Sequence, residues 1–227
     1  YQDDGSAKPP MWQALFSTSG ILGKKSKGLH QVVKDAISHF DGLELSPFYL
    51  GQKLKIDNSA STNNVQGKTV LDIGCGSAFK LIKYFRDKKF VGLDLEPNLS
   101  HIKDKYPLYD FRESDFTSPP VESYDLIICS DVIEHLLEPD DLLDFINQVD
   151  FKHLVLSTPE RGRIQQLQRS FGWDVATNGP PHNIMHIREW SSGELKEYLS
   201  QWFNIESQFM TPKQVECQVV IATPKRF

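Results

Sequence analysis

Three side chains capable of acid–base or metal chemistry sit together in "SDVIEHLLEP" (130–139): Asp131, Glu134 and His135. Val132, Ile133, Leu136 and Leu137 surround them, which places the stretch at the edge of an apolar core. Charge in such a place is costly unless it is paired or ligates a metal. The stretch reads as the start of a helix, and the spacing i, i+3, i+4 would put all three groups on one helical face. A second concentration of imidazoles, His182 and His186, lies in "GPPHNIMHIREWSSGEL" (179–195). Its Gly-Pro-Pro opening predicts an ordered loop and not a helix interior. Two readings stay open. In one, Asp131 caps the helix, Glu134 meets its N-terminal dipole and His135 packs in a hydrogen-bonded niche. In the other, the three form a chemical cluster completed by a histidine from the later loop.

A glycine turn supplies the second chemical signal. "VLDIGCGSAFK" (70–80) reads as a strand, a Gly-x-Gly turn and the opening of a helix, and Asp94 ends the next strand. Such a turn lets the backbone approach a nucleotide-like ligand, and the later acid accepts hydrogen bonds from ribose hydroxyls. A dinucleotide fingerprint would need a third glycine where Phe79 stands. Asp72, just before the turn, would repel a pyrophosphate but attract the amino group and sulfonium of S-adenosylmethionine. A plain tight turn of an α/β protein is the alternative without chemistry.

The elements that must position these groups can be read in order. "KTVLDIG", "KFVGLDL", "YDFRESD", "YDLIICS" and "KHLVLSTP" read as five strands. Helical patterns in "SAFKLIKYFRD", "NLSHIKDKY" and "PDDLLDFINQV" alternate with them. That alternation predicts βαβ units and a largely parallel sheet. "SSGELKEYLSQWF" (191–203) reads as a late helix. "NIESQFMTP" and "ECQVVIATP" read as two further strands, antiparallel because the connection between them is short. In the first 66 residues, 29–40 has helical periodicity. The polar run 57–67 marks a boundary between an N-terminal helical or lid segment (1–66) and the main domain (67–227).

Bulk properties narrow the class. With 227 residues the chain can bury a real core. A net charge of −5 argues against a broad nucleic-acid footprint. No apolar run reaches the roughly 20 residues of a membrane span, and no signal peptide is visible. Cys75, Cys129 and Cys217 show neither zinc spacing nor a disulfide framework, which predicts a reducing, cytoplasmic setting. Oligomeric state is left open.

Residues 67 to about 209 resemble the class I S-adenosylmethionine-dependent methyltransferases. "VLDIGCGSA", "VGLDLEP", "ESDF" and "YDLIICSDVIEHL" look like their four motifs, in order. The resemblance implies a Rossmann-like α/β fold. It has a seven-stranded, mostly parallel sheet with the last strand reversed, helices on both faces and an N-terminal helical cap. It also implies site roles. Asp72, Gly74 and Gly76 would hold the methionine end, with Cys75 also among the cofactor-binding residues. Asp94 would hold the ribose, with Leu95 beside the adenine. Asp115 and Phe116 would bracket the adenine, and Ser130 would close the pocket.

The pattern D/E-x-x-E-H with a later His resembles the ubiquinone-pathway O-methyltransferases and the small-RNA 2′-O-methyltransferases. That resemblance implies a divalent metal (Mn, Mg, Fe or Zn) on Asp131, Glu134, His135 and His186. It departs at Asp131, where those families commonly carry Glu, and leaves His182 spare. Methyl transfer to oxygen needs an in-line approach and a lowered hydroxyl pKa, both of which a cation contributes. Mixed N/O ligands suit Mn²⁺, Fe²⁺ or Zn²⁺ better than Mg²⁺. Without metal, His135 or His186 is a candidate general base. Thus His135, His186 and Glu134 are the candidate catalytic groups.

"LSTPERGR" and the loop after it resemble methyltransferases of polysaccharide and small-molecule pathways. This favours a sugar or related small-metabolite hydroxyl as acceptor. Arg161, Arg163 and Arg188 would meet an acidic group on it or lie in solvent. Trp12, Phe16, Phe48 and Tyr49 would form a lid or simply core. An RNA ribose methyltransferase, a non-catalytic cofactor-binding subunit and an NAD-dependent dehydrogenase are the other readings.

Overall fold

The computed structural model describes residues 69–78, 82, 85, 89–176, 179–210 and 217–225. The expected N-terminal cap, with its helix at 29–40 and its candidate lid aromatics, lies outside them. Seven strands form one sheet: β1 Thr69–Ile73, β2 Lys89–Asp94, β3 Asp110–Glu113, β4 Tyr124–Ser130, β5 Phe151–Pro159, β6 Phe203–Met210 and β7 Cys217–Pro224. Their order is β3-β2-β1-β4-β5-β7-β6. The first five are mutually parallel, and β7 runs antiparallel to both β5 and β6. The expected seven-stranded sheet with its last strand reversed is what forms.

The parallel strands are apolar on both faces because helices cover both. Side chains alternate along each strand. Leu71, Ile73, Ile127, Cys129, Leu154 and Leu156 face one layer, built with α2 (Pro139–Gln148) and α4 (Ser192–Leu199). Val70, Leu126, Ile128 and Val155 face the other, with α1 (Asn98–Lys105) and with Phe85. Of the helix expected at 77–87, Ile82 and Phe85 are described, and both are helical.

Two local features depart from the reading of the sequence. A helix, α3 (Arg161–Ser170), follows β5 where none was expected. The expected helix at the start of "SDVIEHLLEP" does not form either. Only Ile133–His135 make a 3₁₀ turn, and Leu136 is already extended. Asp131 sits at φ +57, a left-handed conformation that Asp tolerates better than most residues. Pro139 disfavours helical geometry at the residue before it, and Glu138 has ψ 82. The helix therefore starts at Pro139, whose fixed φ suits a first helical position.

Candidate functional site

Because β1 to β5 are parallel, they all deliver their carboxyl ends to one edge of the sheet. The chain runs outward from β1 in both directions there, which opens a crevice between β1 and β4. Ile73, Asp94, Glu113, Ser130 and Pro159 are the last residues of the five strands. The glycine turn, Asp115, Phe116 and the segment 131–135 follow directly from this edge.

The glycine turn is built around Asp94. Its Oδ2 accepts from the Gly76 N–H at 2.7 Å, and its Oδ1 from the Leu95 N–H at 2.8 Å. Asn98 Nδ2 donates to the Gly76 carbonyl at 2.8 Å. Burial pushes the Asp94 carboxyl above its ordinary pKa, and those backbone donors counter the shift. A carboxylate has about four lone-pair positions, so Asp94 keeps acceptor capacity after holding the turn. Cys75 packs its Sγ against Gly92, where an added Cβ would come within 3.0 Å of it. Burial, then Asp72 and Asp94, push the Cys75 thiol far up, so it stays protonated.

Gly74 and Gly76 both have positive φ, +68 and +57. Their surroundings differ. A Cβ on Gly74 would come within 2.4 Å of Val132 Cγ2, whereas one on Gly76 would meet nothing within 4 Å. Gly74 is bare so that the segment after β4 can lie against the turn. Gly76 is bare beside open space, as a turn that receives a ligand requires.

Other expected cofactor residues fall at the same edge. Ser130 ends β4, and its buried Oγ has no hydrogen-bond partner among the described residues. Phe116, at φ +68, packs edge-on against Phe145 with centroids 5.6 Å apart. Asp115 is exposed, and the Thr117 hydroxyl holds its carboxyl below the ordinary value. Asp72 lies in β1 opposite Gly92.

The acid–imidazole cluster is assembled from two segments. The 3₁₀ turn carries Glu134 and His135, and the loop after α3 carries His186. Backbone bonds tie the two: the Ile187 N–H donates to the Glu134 carbonyl at 2.8 Å. A bridge between Glu160 and Trp190 then returns the loop to the end of β5. One carboxylate oxygen of Glu134 and one ring nitrogen each of His135 and His186 lie within 4.8 Å of one another. Glu134 is 1% exposed. Its Oε2 accepts from the Thr158 hydroxyl at 3.0 Å, while Oε1 is buried with no hydrogen-bond partner among the described residues. Desolvation, then the charges of Asp131 and Glu189, push its carboxyl well up.

Hydrogen bonds fix both imidazoles. His135 Nδ1 lies 2.7 Å from the Met185 carbonyl. A carbonyl only accepts, so Nδ1 carries the proton. Burial lowers the pKa of His135, so the neutral ring presents the Nε2 lone pair, 3.8 Å from Glu134 Oε1. His186 Nδ1 lies 2.7 Å from Glu189 Oε1, and its Nε2 lies 2.8 Å from Asn183 Nδ2. Asn183 is oriented by the Met185 N–H, which donates to its Oδ1. The amide NH₂ therefore faces the imidazole, and His186 Nε2 is the acceptor.

Of the four expected metal ligands, Asp131 stands outside the three-residue group. It faces Ser157 Oγ at 3.3 Å and Cys217 Sγ at 3.8 Å. The 3₁₀ turn after it has Val132 as its N-cap, with no side-chain bond from that residue. His182 lies against Trp173, centroids 5.7 Å apart. Arg161 bonds Glu194, and Arg188 donates to the Leu137 carbonyl and sits over Trp190. Glu189, Thr158 and Asn183 are contributors that sequence reasoning missed. Only Glu189 left a signal, the His-x-x-Glu spacing. A cavity of about 160 Å³ is lined by Arg161, Gln165, Pro181, His182, Arg188 and Glu189, the last of which bonds His186.

A family model described as "Methyltransferase domain" matches residues 52–206. Among solved structures, magnesium protoporphyrin IX methyltransferase from Synechocystis, with bound S-adenosylhomocysteine, is 16% identical at TM-score 0.59. That match covers 97% of this chain and 90% of the other. The methyltransferase domain of bacterial CtHen1 is 16% identical at TM-score 0.52, covering 78% and 98%. The N-methyltransferase NodS from Bradyrhizobium japonicum, with S-adenosylhomocysteine, is 14% identical at 0.52, covering 70% and 79%. With 717 chains matching, likeness of fold selects no acceptor. No curated protein matches.

Proposed function

Because the chain belongs to the methyltransferase-domain family and is an S-adenosylmethionine-dependent methyltransferase, we propose that it methylates a hydroxyl of a sugar or related small metabolite with a divalent cation at Glu134, His135 and His186. One observation carries the reading. A buried, unpartnered carboxylate oxygen stands beside two imidazoles, on a segment that packs against the glycine turn through Val132 and Gly74.

S-adenosylmethionine, when bound, supplies the electrophilic methyl group. The turn at Gly74–Gly76 and the Asp94 carboxylate fit its ribose and methionine ends: one glycine faces open space and the acid has acceptor capacity left. Ser130 Oγ, buried without a partner, fits a polar group of the same ligand. The donor set also fits a cation. An orphaned buried oxygen is expensive, and a carboxylate with two imidazoles is a borderline set suited to Mn²⁺, Fe²⁺ or Zn²⁺. Such an ion would supply charge stabilisation for a developing alkoxide. The chain's own residues then place the acceptor. Glu134 and the two rings would set its hydroxyls facing the glycine turn. The acidic balance, −5 overall, supports a small acceptor over a nucleic acid.

One observation favours a metal-free variant. Glu189 on His186 Nδ1 is the arrangement that orients a general base, leaving Nε2 to take the acceptor's proton. Methyl transfer from labelled S-adenosylmethionine to vicinal-diol sugars, single-hydroxyl analogues and short RNA separates these readings. Activity on diols that EDTA abolishes and Mn²⁺ restores supports the cation. EDTA-resistant activity supports the base. Transfer confined to RNA overturns the small-acceptor reading.

A further inference from the structure

His186 is engaged at both ring nitrogens, and the two partners differ in kind. Glu189 Oε1 at Nδ1 is an acceptor, and Asn183 Nδ2 at Nε2 is a donor. The His186 and Glu189 side chains are 9% and 4% exposed, so neither bond is readily exchanged for water. The surrounding chain holds Glu189 in place. Its carbonyl accepts from Arg161 at 3.3 Å, and the next residue, Trp190, bridges to Glu160. Asn183 sits in a loop with few other ties: its Oδ1 accepts from the Met185 N–H at 3.2 Å, and its carbonyl from the His186 N–H.

We propose that Glu189 is a positioning residue that locks His186 as the Nδ1–H tautomer, and that the Asn183 amide competes with the cation for His186 Nε2. The inference rests on the cation reading above and adds two residues with opposite effects. Carboxylates that hold the far nitrogen of a metal-ligating histidine fix its orientation and raise its basicity, and their loss typically weakens metal affinity 10- to 100-fold. A donor on the ligating nitrogen does the reverse, because its hydrogen bond must break before the ion binds. Met185 joins the two rings: its N–H orients Asn183 and its carbonyl holds His135. The displaced amide would therefore leave both imidazoles anchored.

The test combines Mn²⁺ calorimetry with ¹⁵N-histidine NMR on the full chain saturated with S-adenosylhomocysteine. Without metal, His186 should show the Nδ1–H tautomer pattern in wild type and in Glu189→Gln, whose amide oxygen still accepts. In Glu189→Leu the tautomers should mix. Mn²⁺ affinity should fall about tenfold or more in Glu189→Leu and less in Glu189→Gln. Asn183→Ala should bind Mn²⁺ two- to tenfold tighter, the worth of one neutral hydrogen bond. Asn183→Asp keeps the acceptor oxygen and removes the donor, so it should bind tighter still. Wild-type affinity and tautomer in Glu189→Leu overturn the positioning role. Weaker binding in both Asn183 variants overturns the competition. A wild type that binds no Mn²⁺ overturns the cation reading and Asn183's part, while the tautomer pattern still decides Glu189's.

Discussion

Gly74→Ala probes the joint between the glycine turn and the segment after β4. Two costs add at this position. The residue has φ +68, and a left-handed conformation costs an alanine roughly 1–2 kcal/mol. The new methyl would also stand 2.4 Å from Val132 Cγ2, on a branched side chain with little room to turn. Overpacking of that kind costs about 1–3 kcal/mol. The expected loss is about 2–5 kcal/mol, read by urea denaturation from the shift in midpoint at constant m. Val132→Ala separates the two terms. In the Gly74→Ala/Val132→Ala double variant the steric part should vanish, giving a favourable coupling of about 1–3 kcal/mol. The backbone part should remain, leaving the double variant about 1–2 kcal/mol below Val132→Ala alone. Strict additivity of the two changes would refute the contact. The glycine at 74 would then serve the turn alone, with no part in seating Glu134 and His135 beside it.

Gly76→Ala should behave differently, since its Cβ would enter open space. It should lose only the backbone term in stability, about 1–2 kcal/mol, yet bind S-adenosylhomocysteine far more weakly by calorimetry. Thr158→Val removes the bond to Glu134 Oε2 and leaves both oxygens of a buried carboxyl without a protein donor. A loss of about 1–3 kcal/mol in denaturant unfolding is expected, partly recovered when Mn²⁺ is present. Glu194 is held at about 2, below the ordinary 4.5, first by Arg161 and then by the Ser191 N–H. A depressed carboxyl adds stability above its ordinary pKa and loses it as pH falls through the lowered value. The melting temperature of wild type should therefore drop more between pH 4.5 and 2 than that of Glu194→Gln.

Much of the frame is legible in the chain. β1, β4 and β5 are apolar runs, as strands covered on both faces must be. The short connection between β6 and β7 leaves antiparallel pairing as the available choice. The glycine turn and Asp94 could be placed because a strand end, a tight turn and an acid at the next strand end form a local pattern.

What escaped was set by backbone detail and by distant partners. The spacing of Asp131, Glu134 and His135 suits a helix. A left-handed Asp131 and the proline at 139 leave a single 3₁₀ turn instead. The same turn removes Asp131 from the face it would have shared. α3 has only Ile164 and Leu167 as apolar side chains, so its periodicity is faint. It is begun by Glu160, whose carboxylate accepts from the Arg163 N–H, and it buries Gln165 against the Ala176 carbonyl. Polar burial of that kind leaves no hydrophobic stripe to read. Glu189 lies three residues from His186, but its role depends on both being buried and on Asn183 filling the other nitrogen.

The most direct measurement is an anomalous difference map at the manganese edge, from crystals grown with S-adenosylhomocysteine and Mn²⁺. A peak bonded to the Glu134 carboxylate and to a ring nitrogen of each of His135 and His186 is expected. A map with cofactor in place and no density among those three side chains would contradict the cation reading and leave the Glu189–His186 pair as the base.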